Sequence, residues 1–366
     1  MNTLTIGFIG LGLIGGSVAR AIRHFHPDIK ILAYTPDKAA LTYALENNMI
    51  DNACTAVDDS YRQCDYIFLC APVEININYL EILKPIIKEH CLVTDIGSTK
   101  AAIHKEVTRL DMERNFIGGH PMAGSEKNGL KNAKRILIEN AYYVLTPTKK
   151  TDPQMLADYE VFIRSLSALP LVLDYEEHDS ITAAISHLPH LIASSLVNLI
   201  KMSDNKQQTM KLIAAGGFKD ITRIASSSPE MWTQICSSNR DKIATILNTY
   251  IDNLSSVHDS LLAAKDSDIY ELFDTSRDYR NSIGDSTKGP IIKNYAIYCD
   301  MVDEAGGIAA LATILATNSI SIKNIGIVHN REFEEGVLHV EFYAEEARQK
   351  AVELLRRYRY TIYERR

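Results

Sequence analysis

"GFIGLGLIGGS", residues 7–17, decides how the first half of the chain folds. An apolar run ends at Gly10, and Gly10-x-Gly12-x-x-Gly15 then opens a stretch with helical spacing. In that setting the first glycine permits a tight turn and the second lets the backbone approach a pyrophosphate. The third lets the helix pack on the strand. Phosphates then meet the free N–H groups and positive dipole of a helix N-terminus. A glycine-rich turn without a ligand is the plainer reading, but strand, loop and helix in this order favour a dinucleotide.

Outward from that loop, short apolar runs alternate with amphipathic stretches. Residues 5–10, 30–34, 65–72, 91–97 and 140–146 read as strands, with "PLVLDY" (170–175) closing the sheet. "IGGSVARAIRHF", "DKAALTYALENN" and "NINYLEILKPIIKEH" between them read as helices. Such alternation predicts a mostly parallel, doubly wound α/β sheet over residues 1–176. From 177 to 284 only helical periodicity remains, which predicts an all-α second domain. A Gly/Ser/Pro linker follows at 285–292, and 293–366 has the βαββαβ order of a ferredoxin-like module.

Composition narrows the function class. Charged residues are 23% of the 366 and the net charge is −7, so no nucleic-acid or membrane-surface partner is expected. The six cysteines have no C-x-x-C spacing and read as buried thiols of a reducing cytoplasm, not as a zinc site or disulfide framework. The N-terminus lacks the basic region of a signal peptide, and the apolar run near residue 310 is too short for a bilayer. No metal site is expected: His187 and His190 are spaced i, i+3 without a recognisable third ligand.

The cofactor should lie on Gly10, Leu11, Gly12, Leu13, Ile14 and Gly15, with Thr35 after the second strand and Ala71 and Pro72 beyond the next. A ribose-binding acid is expected about twenty residues past the glycines. Thr35 stands there, with Asp37 the nearest acid and Lys38 the nearest cation. NAD is the favoured nucleotide and NADP stays open.

"GGHPMAGSEKNG" (118–129) sets His120 between glycines and Pro121, which predicts a loop. Its ring is either a buried structural histidine or a positioned base.

With "GLGLIGGS" (10–17), "DIGSTK" (95–100), "GGHPMAGSEKNG", "SHLPH" (186–190) and "GGFKDITRIASSSPEMW" (216–232) in view, the chain resembles the prephenate/arogenate dehydrogenases along its whole length. The tail resembles an ACT domain. The resemblance implies oxidation at C4 of a cyclohexadienol with loss of the ring carboxylate, giving 4-hydroxyphenylpyruvate from prephenate in tyrosine biosynthesis. It implies His120 as the base and Ser98 as the hydroxyl partner of that ring and of the substrate. Arg223 becomes the carboxylate clamp, a role that suits a guanidinium. Asp220 and Glu126 become members of an ionic network, and Ser125, Ser186, His187, His190, Gly216 and Trp232 become lining residues of the substrate pocket. Helix-face charge and ordinary packing are the plainer readings of Asp220, Glu126, His187 and Trp232. Asp303, Gly306, Asn324 and Ile325 are the expected tyrosine-effector residues; a dimerisation module that binds nothing is the alternative. A homodimer is expected. Arogenate as substrate, a β-hydroxyacid-type dehydrogenase and a silent nucleotide-gated amino-acid sensor are the rival readings.

Overall fold

Strands β1 (Thr5–Ile9), β2 (Lys30–Tyr34), β3 (Asn52–Ala53), β4 (Tyr66–Leu69) and β5 (Leu92–Asp95) form one parallel sheet in the order β3-β2-β1-β4-β5. All five residues of β1 are buried, as expected where helices cover both faces of a parallel sheet. Phe8 and Phe68 stack between β1 and β4 with centroids 5.1 Å apart. The crossovers are α1 (Leu13–Phe25), α2 (Lys38–Glu46) and α3 (Val73–Leu83), and α4 (Ala101–Arg109) follows β5. The computed structural model describes residues 4–124, 128–283, 295–300, 306–328 and 337–363.

The expected single sheet is divided. A second sheet contains β6 (Ile117–Pro121), β7 (Tyr142–Pro147) and β8 (Leu169–Val172), with β6 antiparallel and β8 parallel to β7. One bridge, Val93 to Phe116, joins it to β5. Residues 118–121 are therefore strand, not loop, and 170–175 do not close the parallel sheet. The glycines that argued for a turn serve close packing instead. A Cβ on Gly118 would collide with Thr146 Oγ1, and one on Gly119 would lie 2.5 Å from the Asp95 carbonyl. Between β7 and β8, α5 (Pro153–Ser165) starts from the Asp152 cap with proline in its first turn.

After β8 the chain is helical: α6 (Tyr175–Thr182), α7 (Leu188–Ser203), α8 (Thr209–Ile213), α9 (Gly216–Thr222), α10 (Pro229–Ser238), α11 (Arg240–Leu262) and α12 (Asp266–Ser282). A π-helical turn, Ala183–His187, joins α6 to α7. By length and composition Tyr175–Ser203 could cross a bilayer. In the fold it carries a buried His–Asp pair that bonds to the sheet domain. Asn239 breaks a later helical run into α10 and α11.

The chain divides into two compact units, Met1–Asp278 and Tyr279–Arg366. The second contains β9 (Tyr295–Asp300), α13 (Gly307–Thr317), β10 (Ile322–Val328), β11 (Val337–Phe342), α14 (Glu345–Arg357) and β12 (Ile362–Tyr363). Its sheet runs β10-β11-β9-β12, antiparallel throughout. Ile297, Leu311, Leu315, Val340, Phe342 and Leu355 are among its buried core.

Candidate active site

The glycine loop fits a dinucleotide. Gly10 has φ +94°, where a side chain is strained, and its Cβ would lie 2.9 Å from Ala71 N. A Cβ on Gly12 would meet nothing, so backbone is open to a ligand at the start of α1. These residues border a cleft of about 1050 Å³, lined also by Leu11, Thr35, Asp37, Ala71 and Pro72. Leu13, Ile14 and Gly15 form the first turn of α1 behind this lining. Thr35 is nearly buried. The Asp37 carboxylate accepts from Ala39 and Ala40 N–H at 3.0 and 3.1 Å, capping α2. The acid nearest the expected ribose position is thus engaged at a helix start.

A second set of groups gathers where β5 ends. The Lys100 ammonium, fully buried, pairs with the Asp95 carboxylate and donates to the Gly119 carbonyl at 2.7 Å. Asp95 also accepts from Gly97 N–H at 2.8 Å and Gly119 N–H at 3.3 Å. This ion pair fastens the Gly97–Ser98–Thr99 loop to β6, the strand that carries His120. Burial lowers the Lys100 pKa, against the attraction of Asp95 and Asp179.

His120 Nδ1 lies 2.8 Å from His178 Nε2, and His178 Nδ1 lies 2.8 Å from Asp179 Oδ1. Asp179 accepts from the backbone N–H groups of Lys100 and Ala101, both at 2.8 Å, and so caps α4 from a different element. Asn239 donates to the Asp179 carbonyl at 2.7 Å and bonds His187 Nδ1 at 3.3 Å. Thr99 and Ser238 hydroxyls meet at 2.9 Å. Burial, then the positive charges that His178, Lys100 and His187 can carry, push the His120 pKa well below the ordinary imidazole value. A neutral imidazole at neutral pH can accept a proton. Burial takes His187 down to about 4.

Nδ1 of His120 is held by His178, and no hydrogen bond joins Ser98 to His120 among the described residues. Ser98 stays half-buried in the loop that Asp95 pins. His178, Asp179, Asn239 and the Asp95–Lys100 pair were not singled out from sequence. "EEHDS" reads as a solvated helix start, and nothing local shows that its His–Asp pair faces inward.

The remaining expected residues separate into two groups. His190 stacks on Trp232 with ring centroids 3.7 Å apart, and both line a second cleft of about 350 Å³. His187 meets Trp232 edge-on at 6.0 Å, and the Ser186 carbonyl bonds His190 Nδ1 at 2.9 Å. The Trp232 Nε1 group is buried without a partner among the described residues. Gly216, Asp220 and Arg223 are exposed on α9 and the turn after it. Ser125 and Glu126 lie outside the described residues, as does Asp303. Gly306 caps α13 at φ +98°, and Asn324 and Ile325 pair with Glu341 and Val340 of β11.

A glycine loop under a cleft at the carboxyl ends of parallel strands, with a helical body bonded to the same edge, defines a dinucleotide-binding protein of the Rossmann class. Residues 18–169 match the model of the prephenate dehydrogenase nucleotide-binding domain, and 174–275 match that of its dimerization domain. A prephenate dehydrogenase of Bacillus subtilis is 38% identical over 349 residues, 95% of this chain and 94% of that one. The crystal structure of an Aquifex aeolicus prephenate dehydrogenase with hydroxyphenyl propionate and NAD+ superposes with a TM-score of 0.73 at 27% identity, over 77% of this chain and 99% of the other. A Synechocystis arogenate dehydrogenase superposes at 0.69 and 28% identity, over 76% and 100%. The chain belongs to the prephenate dehydrogenase family.

Proposed function

We propose that the chain is an NAD-dependent prephenate dehydrogenase that converts prephenate to 4-hydroxyphenylpyruvate. The observation that carries this reading is the His120 ring, on the strand beside the carboxyl end of β5 and hydrogen-bonded to His178, in a chain 38% identical to a prephenate dehydrogenase. NAD, bound over Gly10 and Gly12, supplies the hydride acceptor. The protein must then take the proton of the C4 hydroxyl, hold two carboxylates and orient the ring. His120 takes that proton and Ser98 orients the hydroxyl. Arg223 clamps a carboxylate, Asp220 and Glu126 tune access to it, and Ser125, Ser186, His187, His190, Gly216 and Trp232 shape the pocket. Loss of carbon dioxide follows from aromatisation and needs no further residue.

The domain assignment is 1–176 for the nucleotide, 177–284 for substrate and dimerisation, and 293–366 for regulation by tyrosine. The order βαββαβ with sheet order β10-β11-β9-β12 supports an ACT-type, ferredoxin-like plan for the last part. Exposed apolar side chains such as Met202, Leu212, Leu262 and Phe273 support a homodimer through the helical domain, and the free cysteines suit a reducing cytoplasm. Initial rates of nicotinamide reduction test the reading, with prephenate or arogenate, NAD or NADP, and with or without tyrosine. Turnover of prephenate with NAD, suppressed by tyrosine, is expected. Folded protein that binds NAD but turns over neither substrate would overturn it, and a rate confined to arogenate would replace the substrate.

A further inference from the structure

The buried pair His178–Asp179 has both nitrogens of its ring committed. His178 is 1% exposed and Asp179 is fully buried. Asp179 accepts two backbone N–H bonds at the start of α4, one to each carboxylate oxygen, so it cannot turn away from the ring. A carboxylate can only accept, so His178 Nδ1 carries a proton and donates to it. A neutral His178 then has a bare Nε2. That nitrogen lies 2.8 Å from His120 Nδ1, and the contact requires a hydrogen, so His120 Nδ1 is the donor. The remaining nitrogen, His120 Nε2, is left with its lone pair.

We propose that His178 and Asp179 are positioning residues that fix the tautomer of His120 and so present Nε2 as the basic nitrogen. The inference rests on the dehydrogenase reading for what Nε2 does: the hydroxyl O–H bond breaks and the proton moves to Nε2. The resulting imidazolium donates from Nδ1 to His178, which is backed by the Asp179 carboxylate. The other groups acting on His120 are the Lys100 ammonium and His187. Lys100 is paired with Asp95, and His187 Nδ1 is held by the Asn239 amide. Neither supplies an acceptor for His120 Nδ1 in this arrangement. The Asp–His couple holds the proton-accepting ring in one protonation pattern, as the carboxylate of a hydrolase triad does for its histidine.

The test combines a readout independent of turnover with kinetics on the full-length protein. Nitrogen-15 NMR of histidine-labelled enzyme, with His120 assigned by loss of its signals in His120→Asn, reports which ring nitrogen bears hydrogen. The expected wild-type pattern is Nδ1 protonated and Nε2 bare. His178→Gln keeps an acceptor oxygen and should preserve that pattern with a loss in kcat of about tenfold or less. His178→Phe removes the acceptor. His120 should then populate the other tautomer, with kcat down roughly 10²- to 10⁴-fold and the KM for prephenate little changed. In His178→Gln the acid limb of kcat should move to lower pH, because the imidazolium loses its carboxylate-backed acceptor.

A wild-type His120 protonated on Nε2 overturns the proposal, and so does a His178→Phe enzyme with unchanged tautomer, whatever its rate. If His178→Phe does not fold, the wild-type spectrum decides alone. The expected spectrum from a protein inactive on prephenate supports the positioning and sinks only the dehydrogenase reading.

Discussion

The edge between β5 and β6 and the segment over α8 and α9 are built in opposite ways. At the first, Asp95, Lys100, His120, His178 and Asp179 hold one another through bonds that join β5, the start of α4, β6 and α6, and most are removed from water. At the second, Gly216, Asp220 and Arg223 stand in water on short helices. The difference separates two demands of one reaction. Proton transfer needs a ring fixed in position and tautomer before substrate arrives. On the proposed assignment of Arg223, a dianionic substrate entering from water would meet an exposed guanidinium there.

The sharpest way to break that contrast is His120→Asn. Loss of the base should lower kcat by about 10²- to 10⁴-fold with NAD binding retained, as stopped-flow and fluorescence titration would read. Near-normal turnover would leave the buried edge purely architectural. Asp95→Asn strands the Lys100 ammonium in the core and should destabilise the fold by about 3–5 kcal/mol in urea unfolding. A cost under 1 kcal/mol would mean that the Gly97–Thr99 loop is held to β6 by something else. Arg223→Gln should act on binding, raising the KM for prephenate roughly 10- to 100-fold with kcat little changed. An unchanged KM would move the clamp elsewhere.

The remaining effect concerns pH. His104 bonds Thr146 Oγ1 at 2.9 Å and stacks on Tyr175, and burial, then the Lys100 charge, lowers its pKa to about 4. The folded value lies below the unfolded one, near 6.5, so the unfolded chain binds the proton first. Stability is therefore whole above about pH 6.5 and falls toward pH 4, by up to about 3 kcal/mol from this residue. His104→Gln should flatten that part of the curve in urea melts at stepped pH, and an unaltered slope would remove His104 from it.

Much of this was legible in residues. The glycine loop, strands β1, β2, β4, β5, β7 and β8 and the helical segment after them follow from periodicity and from the spacing of Gly10, Gly12 and Gly15. What was missed shares one physical cause. Gly118 and Gly119 look like turn formers, yet their role is to let β6 approach Thr146 and Asp95, and only the partners reveal it. His178 and Asp179 lie some sixty and eighty residues from the groups they bind. Their acidic neighbours Glu176 and Glu177 make the stretch look solvated. Local sequence reports local geometry well and long-range polar pairing hardly at all.

The wide turn Ala183–His187 sets a length constraint. It separates His178 and Asp179, which face α4 and β6, from His187 and His190, which face Trp232. An α-helix advances about 100° per residue. The π-turn already absorbs one residue more than a regular helix needs, so inserting a further helical residue into Ala183–Ser186 would swing His187 and His190 about 100° around the axis relative to His178 and Asp179. Asn239 could then no longer reach both Asp179 and His187. Substitutions in this turn should be better tolerated than an insertion.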